Sequence, residues 1–284
     1  MSEIKKVLII ANGLKEESRA VSKEISSFFE ERNIAVSTVF TLSNDEEIRI
    51  DDDISLVCSL GGDGTVLYAA RMVHEKGLPI LPVNLGTFGY ITEVSKDEWK
   101  DALHHYLEKG DNLSRRLMLK VSVMRNSEKV RQFYALNEVT ISASGISKVV
   151  KLQLFLNNTL AGSFKSDGLI IASPTGSTGY SLAAGGPILS SSLAAFVITP
   201  ICPFTLSNRP LVVSSDTKCK VKINENQRTD LILSADGQES FALDEDDEII
   251  IEKSISRALL ITSAKRNFID VIREKLHWSG EFHA

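Results

Sequence analysis

Three glycines, one aspartate and one threonine follow an apolar run of the sequence, and a helical pattern begins directly after them. These residues are Gly61, Gly62, Asp63, Gly64 and Thr65. Glycine lets a ligand approach the main chain closely, and the free N–H groups at a helix start favour phosphate. Thr65 is placed either to cap the helix or to contact a phosphate. The turn therefore predicts a phosphate-binding site at the end of a strand.

Asp63 is the unusual member of this turn, because a carboxylate repels a neighbouring phosphate. It is expected to bind a metal, hold a hydroxyl group or accept a proton. The alternative is a turn aspartate that only caps the helix. The chain has neither a GxxxxGK[ST] loop nor a GxGxxG after its first strand, so two common nucleotide-binding classes are disfavoured. We predict an enzyme that binds a nucleotide and moves a phosphoryl group.

A second glycine-containing loop, Asn84–Tyr90, follows the next predicted strand. Neighbouring parallel strands end at the same sheet edge, so this loop is expected beside the first one. Tyr90 and Phe88 are both candidates to stack on a base, although either also suits a core. Further along, Asn137 and Glu138 form a polar pair near a strand start. They match a ribose diol or an amide, and the alternative is a simple turn pair.

Three later segments are also rich in small and polar residues. Lys165–Gly168 combines two charges with a glycine, and Ser173–Ser181 is dense in Gly, Ser and Thr before it turns helical. The second segment suits a surface where a ligand lies against the backbone. Ala235–Gln238 reads as a hairpin turn. The sequence shows no legible Ser/His/Asp or Cys/His nucleophile arrangement.

The elements that must carry these residues alternate between strand and helix in the first 110 residues. Such alternation favours a parallel sheet with flanking helices. The predicted strands are Val7–Ala11, Ile34–Phe40, Ile54–Leu60 and Pro79–Asn84, and the predicted helices are Glu16–Arg32, Thr65–Lys76 and Lys96–Lys109.

The pattern changes near Leu113, and many short β-rich runs follow, with Ile249–Ile251 and Ala258–Thr262 as two of the last. Only Ser177–Ala184 looks helical among them, which predicts a mainly β domain. Phe268–Leu276 has the apolar spacing of a terminal helix. We therefore predict an α/β domain with a parallel sheet at 1–112, a β-rich nucleotide-binding domain at 113–263, and a helix within 264–284 that packs back on the first domain.

The composition sets the class of protein. The chain has 284 residues, of which 43% are apolar and 24% charged, with a net charge of −5. Since no Lys/Arg-rich stretch appears, a nucleic-acid partner is not expected. Three cysteines without a CxxC pair fit a reducing compartment. The N-terminal apolar run is too short for a signal peptide and Leu193–Phe204 is too short for a membrane span, so we expect a cytoplasmic protein with no membrane partner.

Taken in order, the motifs GGDGT, NxGxxG[FY], Asn-Glu, DG…PTGST-x-Y-S…GGP, TPICP…RPLV and DGQ resemble bacterial NAD kinases over roughly residues 5–275. GGDG also occurs in lipid kinases and, in a related form, in sugar phosphate kinases, so those remain alternatives, as does a non-catalytic NAD(P) sensor. Three downstream motifs are far more specific: Pro174–Tyr180, Gly185–Pro187 and Thr199–Pro203.

The resemblance implies ATP-dependent phosphorylation of the 2′-hydroxyl of the adenosine ribose of NAD, giving NADP. It also implies a divalent metal, normally Mg²⁺, a homodimer or homotetramer, and ATP or polyphosphate as the donor. Asp63 matches the proton acceptor of the family. The nucleotide-binding positions fall on Asn137, Glu138, Asp167, Thr178, Gly179, Tyr180, Ser181, Ala183 and Gln238.

The sequence departs from the family pattern at several of these positions. Lys165 stands where an arginine is usual, and it keeps the charge but loses the planar fork of donors. Lys148 is the nearest candidate for a second basic residue after the Asn-Glu pair. Gly179 replaces an alanine, and Tyr90 replaces a phenylalanine. These changes bear on nucleotide affinity, and none removes the reaction.

Overall fold

The computed structural model describes most of the chain, and two compact units emerge from it. It describes residues 4–41, 48–86, 89–145, 149–205, 207–224, 227, 229–263 and 265–277. Unit 1 contains Met1–Arg116 and Arg257–Ala284, and unit 2 contains Leu117–Ser256. The sequence had placed the divisions after residues 112 and 263.

Unit 1 opens with alternating strands and helices. In chain order these are β1 (Lys6–Asn12), α1 (Glu16–Glu30), β2 (Ala35–Thr41), β3 (Ile54–Gly61), α2 (Asp63–Val73), a 3-10 turn (His74–Lys76), β4 (Pro79–Asn84), β5 (Val94–Ser95) and α3 (Trp99–Glu108). The strands pair in parallel in the order β2-β1-β3-β4, with β5 parallel to β4. Strands of such a sheet are covered on both faces, which explains why nearly all of β3 is buried.

The helices of unit 1 cover the sheet with regularly spaced apolar residues. In α1, Val21, Ile25 and Phe29 recur every four residues and are buried. They join one core cluster with alternate residues of β1 and with Trp99 of α3. A stripe of this spacing lies along one side of a helix, so the helix is fixed by the sheet it covers.

Unit 2 is built mainly from antiparallel strands, with one 3-10 turn and one short helix. In chain order these are β6 (Leu113–Arg125), β7 (Glu128–Ala135), β8 (Glu138–Ala143), β9 (Val150–Leu156), β10 (Thr159–Ser166), β11 (Gly168–Ala172), a 3-10 turn (Gly176–Thr178), α4 (Tyr180–Ala183), β12 (Ala195–Ile201), β13 (Leu211–Ser214), β14 (Cys219–Ile223), β15 (Leu231–Ala235), β16 (Glu239–Leu243) and β17 (Glu248–Ile261). β6 begins in unit 1 and β17 ends in unit 1. One set pairs in the order β10-β9-β14-β17 and another in the order β13-β12-β11-β8-β15-β16. Their inward residues meet in a single apolar cluster.

The chain ends in a helix, α5 (Phe268–Leu276), that belongs to unit 1. It begins with a capping box, in which the Asn267 side chain accepts from the N–H groups of Ile269 and Asp270. Just before it, Arg266 donates to the carbonyl of Glu93 at 2.9 Å and to the carboxylate of Glu98 at 2.8 Å. The predicted fold class, including the return of the terminal helix, is confirmed.

Two predicted elements differ from the observed ones. Ile249–Ile251 and Ala258–Ile261 are parts of one long strand, β17, which continues through a mostly exposed stretch between them. The predicted helix Ser177–Ala184 is a 3-10 turn followed by a single turn of α4. Gly179 separates the two with non-helical angles (φ −90°, ψ −136°). Within the described part of the chain, no helix is both long and apolar enough to cross a membrane.

Candidate active site

The glycine turn of unit 1 lies at the carboxyl edge of the parallel sheet, as predicted. β3 and β4 are neighbours, with Gly61 beside Asn84, and the Leu85 N–H donates to the Gly61 carbonyl at 2.9 Å. The helix α2 starts at Asp63, and Gly62 precedes it without a side-chain cap among the described residues. No described atom lies within 4 Å of the place where a Cβ on Gly62 would stand. The helix start is therefore open to a ligand.

The Asp63 carboxylate is held by the segment that follows β4. Its Oδ2 accepts from the Tyr90 N–H at 2.8 Å. Its Oδ1 accepts from the N–H groups of Ile91 and Thr92 at 3.2 and 3.0 Å, and from the Thr92 hydroxyl at 2.9 Å. The helix-capping alternative is therefore wrong, because this side chain binds a segment almost thirty residues later instead. The two glycine loops do meet at one sheet edge.

Gly89 shows how closely that segment approaches the carboxylate. A Cβ at this position would lie 1.8 Å from the Asp63 Oδ1, which no side chain tolerates. Tyr90 follows with a partly buried ring, and the Lys275 Nζ lies 5.9 Å from its centroid. Burial, and then the charge of Asp63, raise the pKa of the Tyr90 hydroxyl. Phe88, the other stacking candidate, lies outside the described residues.

The remaining members of the glycine turn divide into buried and open positions. Thr65 is buried, and its hydroxyl faces the place where a Cβ on Gly61 would stand, 2.2 Å away. Gly64 is exposed at the first turn of α2. The backbone around Gly62 and Gly64 is thus the accessible part of this turn, while the Thr65 side chain packs beneath it.

In unit 2, three segments meet at one end of the sheet with the strand order β13-β12-β11-β8-β15-β16. β8 begins at Glu138, which pairs with Ala172 at the end of β11. β15 ends at Ala235, which pairs with Val139. Because neighbouring strands run antiparallel, the start of β8 lies beside the ends of β11 and β15. This register brings the Asn-Glu pair, the Ser/Thr-rich loop and the hairpin of the DGQ motif together.

Asp236 is the residue that links these segments, and sequence reasoning missed it. Its Oδ1 accepts from the N–H groups of Asn137 and Glu138 at 2.8 and 3.1 Å, and its Oδ2 accepts from the Leu136 N–H at 2.8 Å. Asp236 and Gly237 have φ values of 53° and 65°, as the predicted tight hairpin turn requires. A turn aspartate looks ordinary in sequence, and only the DGQ motif as a whole singled out this hairpin.

The loop after β11 packs directly on the Asn-Glu pair. The Ser173 N–H donates to the Asn137 carbonyl at 2.8 Å, and the Ser173 hydroxyl donates to the Leu136 carbonyl at 2.5 Å. A Cβ on Gly176 would lie 2.1 Å from the Asn137 carbonyl oxygen, so this contact requires glycine. The Ser181 hydroxyl bonds that of Thr199 at 2.9 Å. The loop is consequently fixed before any ligand binds.

Several polar atoms of this cluster are buried without a partner among the described residues. They are Asn137 Oδ1, Glu138 Oε2 and Thr175 Oγ1. Burial, and then the charge of Asp236, raise the pKa of Glu138 to about 8, against an opposing effect of the Tyr180 N–H. Buried polar groups normally have hydrogen-bond partners. A polar ligand such as a ribose would supply hydrogen-bond partners for these grouped atoms.

The other predicted positions lie in several places. Thr178 is buried in the loop, Gly179 lies against the Glu138 carboxylate, and Tyr180 and Ala183 are exposed on α4. The Gln238 N–H closes the hairpin on the Ala235 carbonyl at 2.9 Å. Lys148 lies outside the described residues.

Lys165 and Asp167 are exposed at the opposite end of β11 from Ser173. Since β11 has five residues, they lie roughly 14 Å or more from the Asn-Glu end. The chain therefore does not bring these two charged side chains to the polar cluster of its own unit 2.

An aspartate held at a glycine turn of a parallel sheet, with a buried polar cluster in a β-rich unit, defines a nucleotide-binding phosphotransferase. Comparison with known proteins agrees with this class. Residues 42–111 match the ATP-NAD kinase N-terminal domain, and residues 136–263 match the ATP-NAD kinase C-terminal domain. The chain belongs to the NAD kinase family.

Similar curated proteins span essentially the whole chain. The NAD kinase of Treponema denticola is 42% identical over 280 residues, covering 98% of each chain. The NAD kinase of Geobacter sp. strain M21 is 37% identical and covers 97% of this chain and 99% of its own. The likeness therefore covers both units.

Two solved structures have the same fold. A yeast NADH kinase complexed with NADH has a TM-score of 0.86 and 25% identity, covering 99% of this chain and 90% of its own. An NAD kinase from Archaeoglobus fulgidus in complex with ATP has a TM-score of 0.74 and 27% identity, covering 94% and 97%.

Proposed function

We propose that this chain transfers the γ-phosphoryl group of ATP to the 2′-hydroxyl of the adenosine ribose of NAD, giving NADP and ADP. The observation that carries this proposal is the Asp63 carboxylate, fixed by four hydrogen bonds at the open glycine turn. Relatives named NAD kinase, and similar structures with NADH and with ATP, support the choice of substrates.

Asp63 would act on the attacking hydroxyl. The 2′-oxygen forms a bond to the γ-phosphorus while the bond between that phosphorus and the β,γ-bridging oxygen breaks. The proton of the hydroxyl passes to Asp63. A carboxylate is a weak base, so its main contribution is to hold the oxygen in line with the phosphorus. A carboxylate fixed by four donors suits that task.

The phosphates and the nucleosides need separate partners. The open backbone of Gly62 and Gly64, at the start of α2, suits phosphate oxygens. Gly61, the last residue of β3, is proposed as part of the same phosphate-binding turn. The unpartnered atoms of Asn137 and Glu138 suit a ribose or an amide. The other positions proposed to contact nucleotide are Thr65, Tyr90, Thr178, Gly179, Tyr180, Ser181, Ala183 and Gln238.

The divalent metal is proposed to be Mg²⁺ that enters with the triphosphate. Among the described residues, no group of three His, Cys, Asp or Glu side chains is arranged to hold a metal ion. We propose that phosphate oxygens carry this metal as part of the substrate. When bound, the ion offsets charge that develops on the transferred group.

Lys165 and Asp167 fit the proposal in a homodimer or homotetramer. One copy leaves both side chains exposed, far from the Asn-Glu end of its own β11. A second copy is proposed to present them, with Lys148, to the nucleotide. Sedimentation velocity of the purified chain is expected to show a dimer or tetramer. The proposed compartment is the cytoplasm, since all three cysteines are free.

The test is a coupled assay that measures NADP formed from NAD, ATP and Mg²⁺. The Asp63→Asn variant is expected to fold and to lose turnover by about 10²–10⁴, the usual contribution of a general base. Diacylglycerol and fructose 6-phosphate with labelled ATP serve as control acceptors. Turnover of either control but not of NAD would overturn the proposed substrate, and near-normal activity of the variant would overturn the role of Asp63.

A further inference from the structure

The Thr92 hydroxyl lies behind the Asp63 carboxylate, and three groups surround it. The Asn84 Nδ2 lies 2.8 Å from the Thr92 Oγ1, and the Gly89 N–H donates to the same oxygen at 3.1 Å. The third group is the Asp63 Oδ1, at 2.9 Å. Thr92 is fully buried, so these protein groups decide where its hydroxyl proton points.

The orientation of the Asn84 amide is fixed by a neighbour. The Gly86 N–H lies 2.7 Å from the Asn84 Oδ1, and an N–H can only donate. The amide oxygen must therefore face Gly86, which turns the amide nitrogen towards Thr92. Both Asn84 and Gly89 are then donors to the Thr92 Oγ1. Among the described groups, the Asp63 Oδ1 is the acceptor left for the single hydroxyl proton of Thr92.

The two oxygens of Asp63 consequently differ. Its Oδ1 receives three donors, from Ile91 N–H, Thr92 N–H and the Thr92 hydroxyl. Its Oδ2 receives one described donor, from the Tyr90 N–H at 2.8 Å. A carboxylate oxygen offers about two lone-pair sites, so the donors of the described residues saturate Oδ1 and leave a site on Oδ2.

We propose that Thr92 is a positioning residue, which, held by Asn84, occupies Oδ1 and leaves Oδ2 as the atom that accepts the substrate hydroxyl proton. The inference rests on the proposed function of Asp63 and adds which atom acts and what selects it. In the reaction, the proton leaves the 2′-oxygen for Oδ2 as that oxygen bonds to phosphorus. The donors on Oδ1 stop the carboxylate from rotating to present its other oxygen.

The test compares Thr92→Val with Thr92→Ser in the full-length chain. Valine keeps the shape and removes the hydroxyl, while serine restores it. A hydrogen bond to a charged group supports a loss of roughly tenfold in kcat for Thr92→Val. KM for NAD should stay within about twofold of wild type, because Thr92 does not contact substrate. Thr92→Ser should recover most of kcat.

The separation of kcat from KM, together with the rescue by serine, provides a readout that a merely structural role would not give. A wild-type kcat in Thr92→Val, or a serine variant as impaired as valine, would overturn the inference.

Asn84→Asp keeps the inference testable if Thr92→Val does not fold. An aspartate at position 84 replaces the amide donor with an acceptor, which draws the Thr92 proton away from Asp63. We expect a similar loss of kcat although the Thr92 hydroxyl is still present, and wild-type kcat would contradict the inference. The proposed function fails separately, if the wild-type chain forms no NADP.

Discussion

The hydrogen bonds between Asp236 and the start of β8 can be tested quantitatively. Its carboxylate receives three backbone N–H groups and is 7% exposed. In Asp236→Asn, the amide oxygen can keep the two bonds that Oδ1 makes. The amide nitrogen then faces the Leu136 N–H, where two donors oppose each other. Asparagine tolerates the left-handed backbone at this position, so the turn itself is not strained.

The magnitude follows from the bonds that change. One buried N–H without a partner costs about 1–3 kcal/mol, and the two retained bonds lose their charge assistance. Removing the charge beside Glu138 offsets part of this, because Asp236 disfavours the ionised Glu138. A net loss of about 2–4 kcal/mol remains. It is local, so the opening of residues 136–138 should become easier by roughly 30-fold or more.

Hydrogen exchange followed by mass spectrometry measures that opening. Peptides that cover residues 136–138 should exchange roughly 30-fold faster or more in Asp236→Asn. Asp246→Asn is a matched control, because Asp246 also has a left-handed backbone in a turn but is exposed. Equal exchange in the two variants would refute the argument that Asp236 holds the Asn-Glu pair in place.

Two further predictions concern the same sites. Gly89→Ala places a Cβ 1.8 Å from the Asp63 Oδ1, so the segment must move, and we expect kcat to fall about 10²-fold, as misplacement of a reacting group does. In the control Gly77→Ala the Cβ meets open space but the φ of 60° strains the backbone, so stability should fall while kcat stays unchanged. Burial raises the pKa of Glu138 to about 8, so the folded chain holds a proton there that the unfolded chain loses near its ordinary pKa. The free energy of unfolding should therefore fall as pH rises from about 5 to 8, and Glu138→Gln should remove that fall. Melting temperatures that fall equally with pH in wild type and variant would contradict this prediction.

Local sequence patterns predicted much of the fold. The apolar run before Gly61 and the helical pattern after Thr65 placed the glycine turn correctly, because both signals lie within a few residues. The alternation of strands and helices likewise predicted the parallel sheet of unit 1. The single strand β17 was divided in two because charged residues on its exposed face resemble a turn when neighbouring strands are unknown.

The partners of the site residues were beyond sequence reasoning. Asp63 binds residues 90–92, and Asp236 binds residues 136–138, about one hundred positions earlier. Such pairings arise from strand register, which no local pattern encodes. Thr92 was not singled out at all, since a threonine after an isoleucine is typical of any strand. The roles of the nucleotide-binding positions remain predictions.

Arg266 connects the end of the chain to the segment that holds Asp63. It donates to the Glu93 carbonyl and to the Glu98 carboxylate, just beyond Thr92. During synthesis on the ribosome, residues 90–98 emerge long before Arg266 does. A chain cut short before residue 266 would lack this anchor, and its aspartate would be less firmly held.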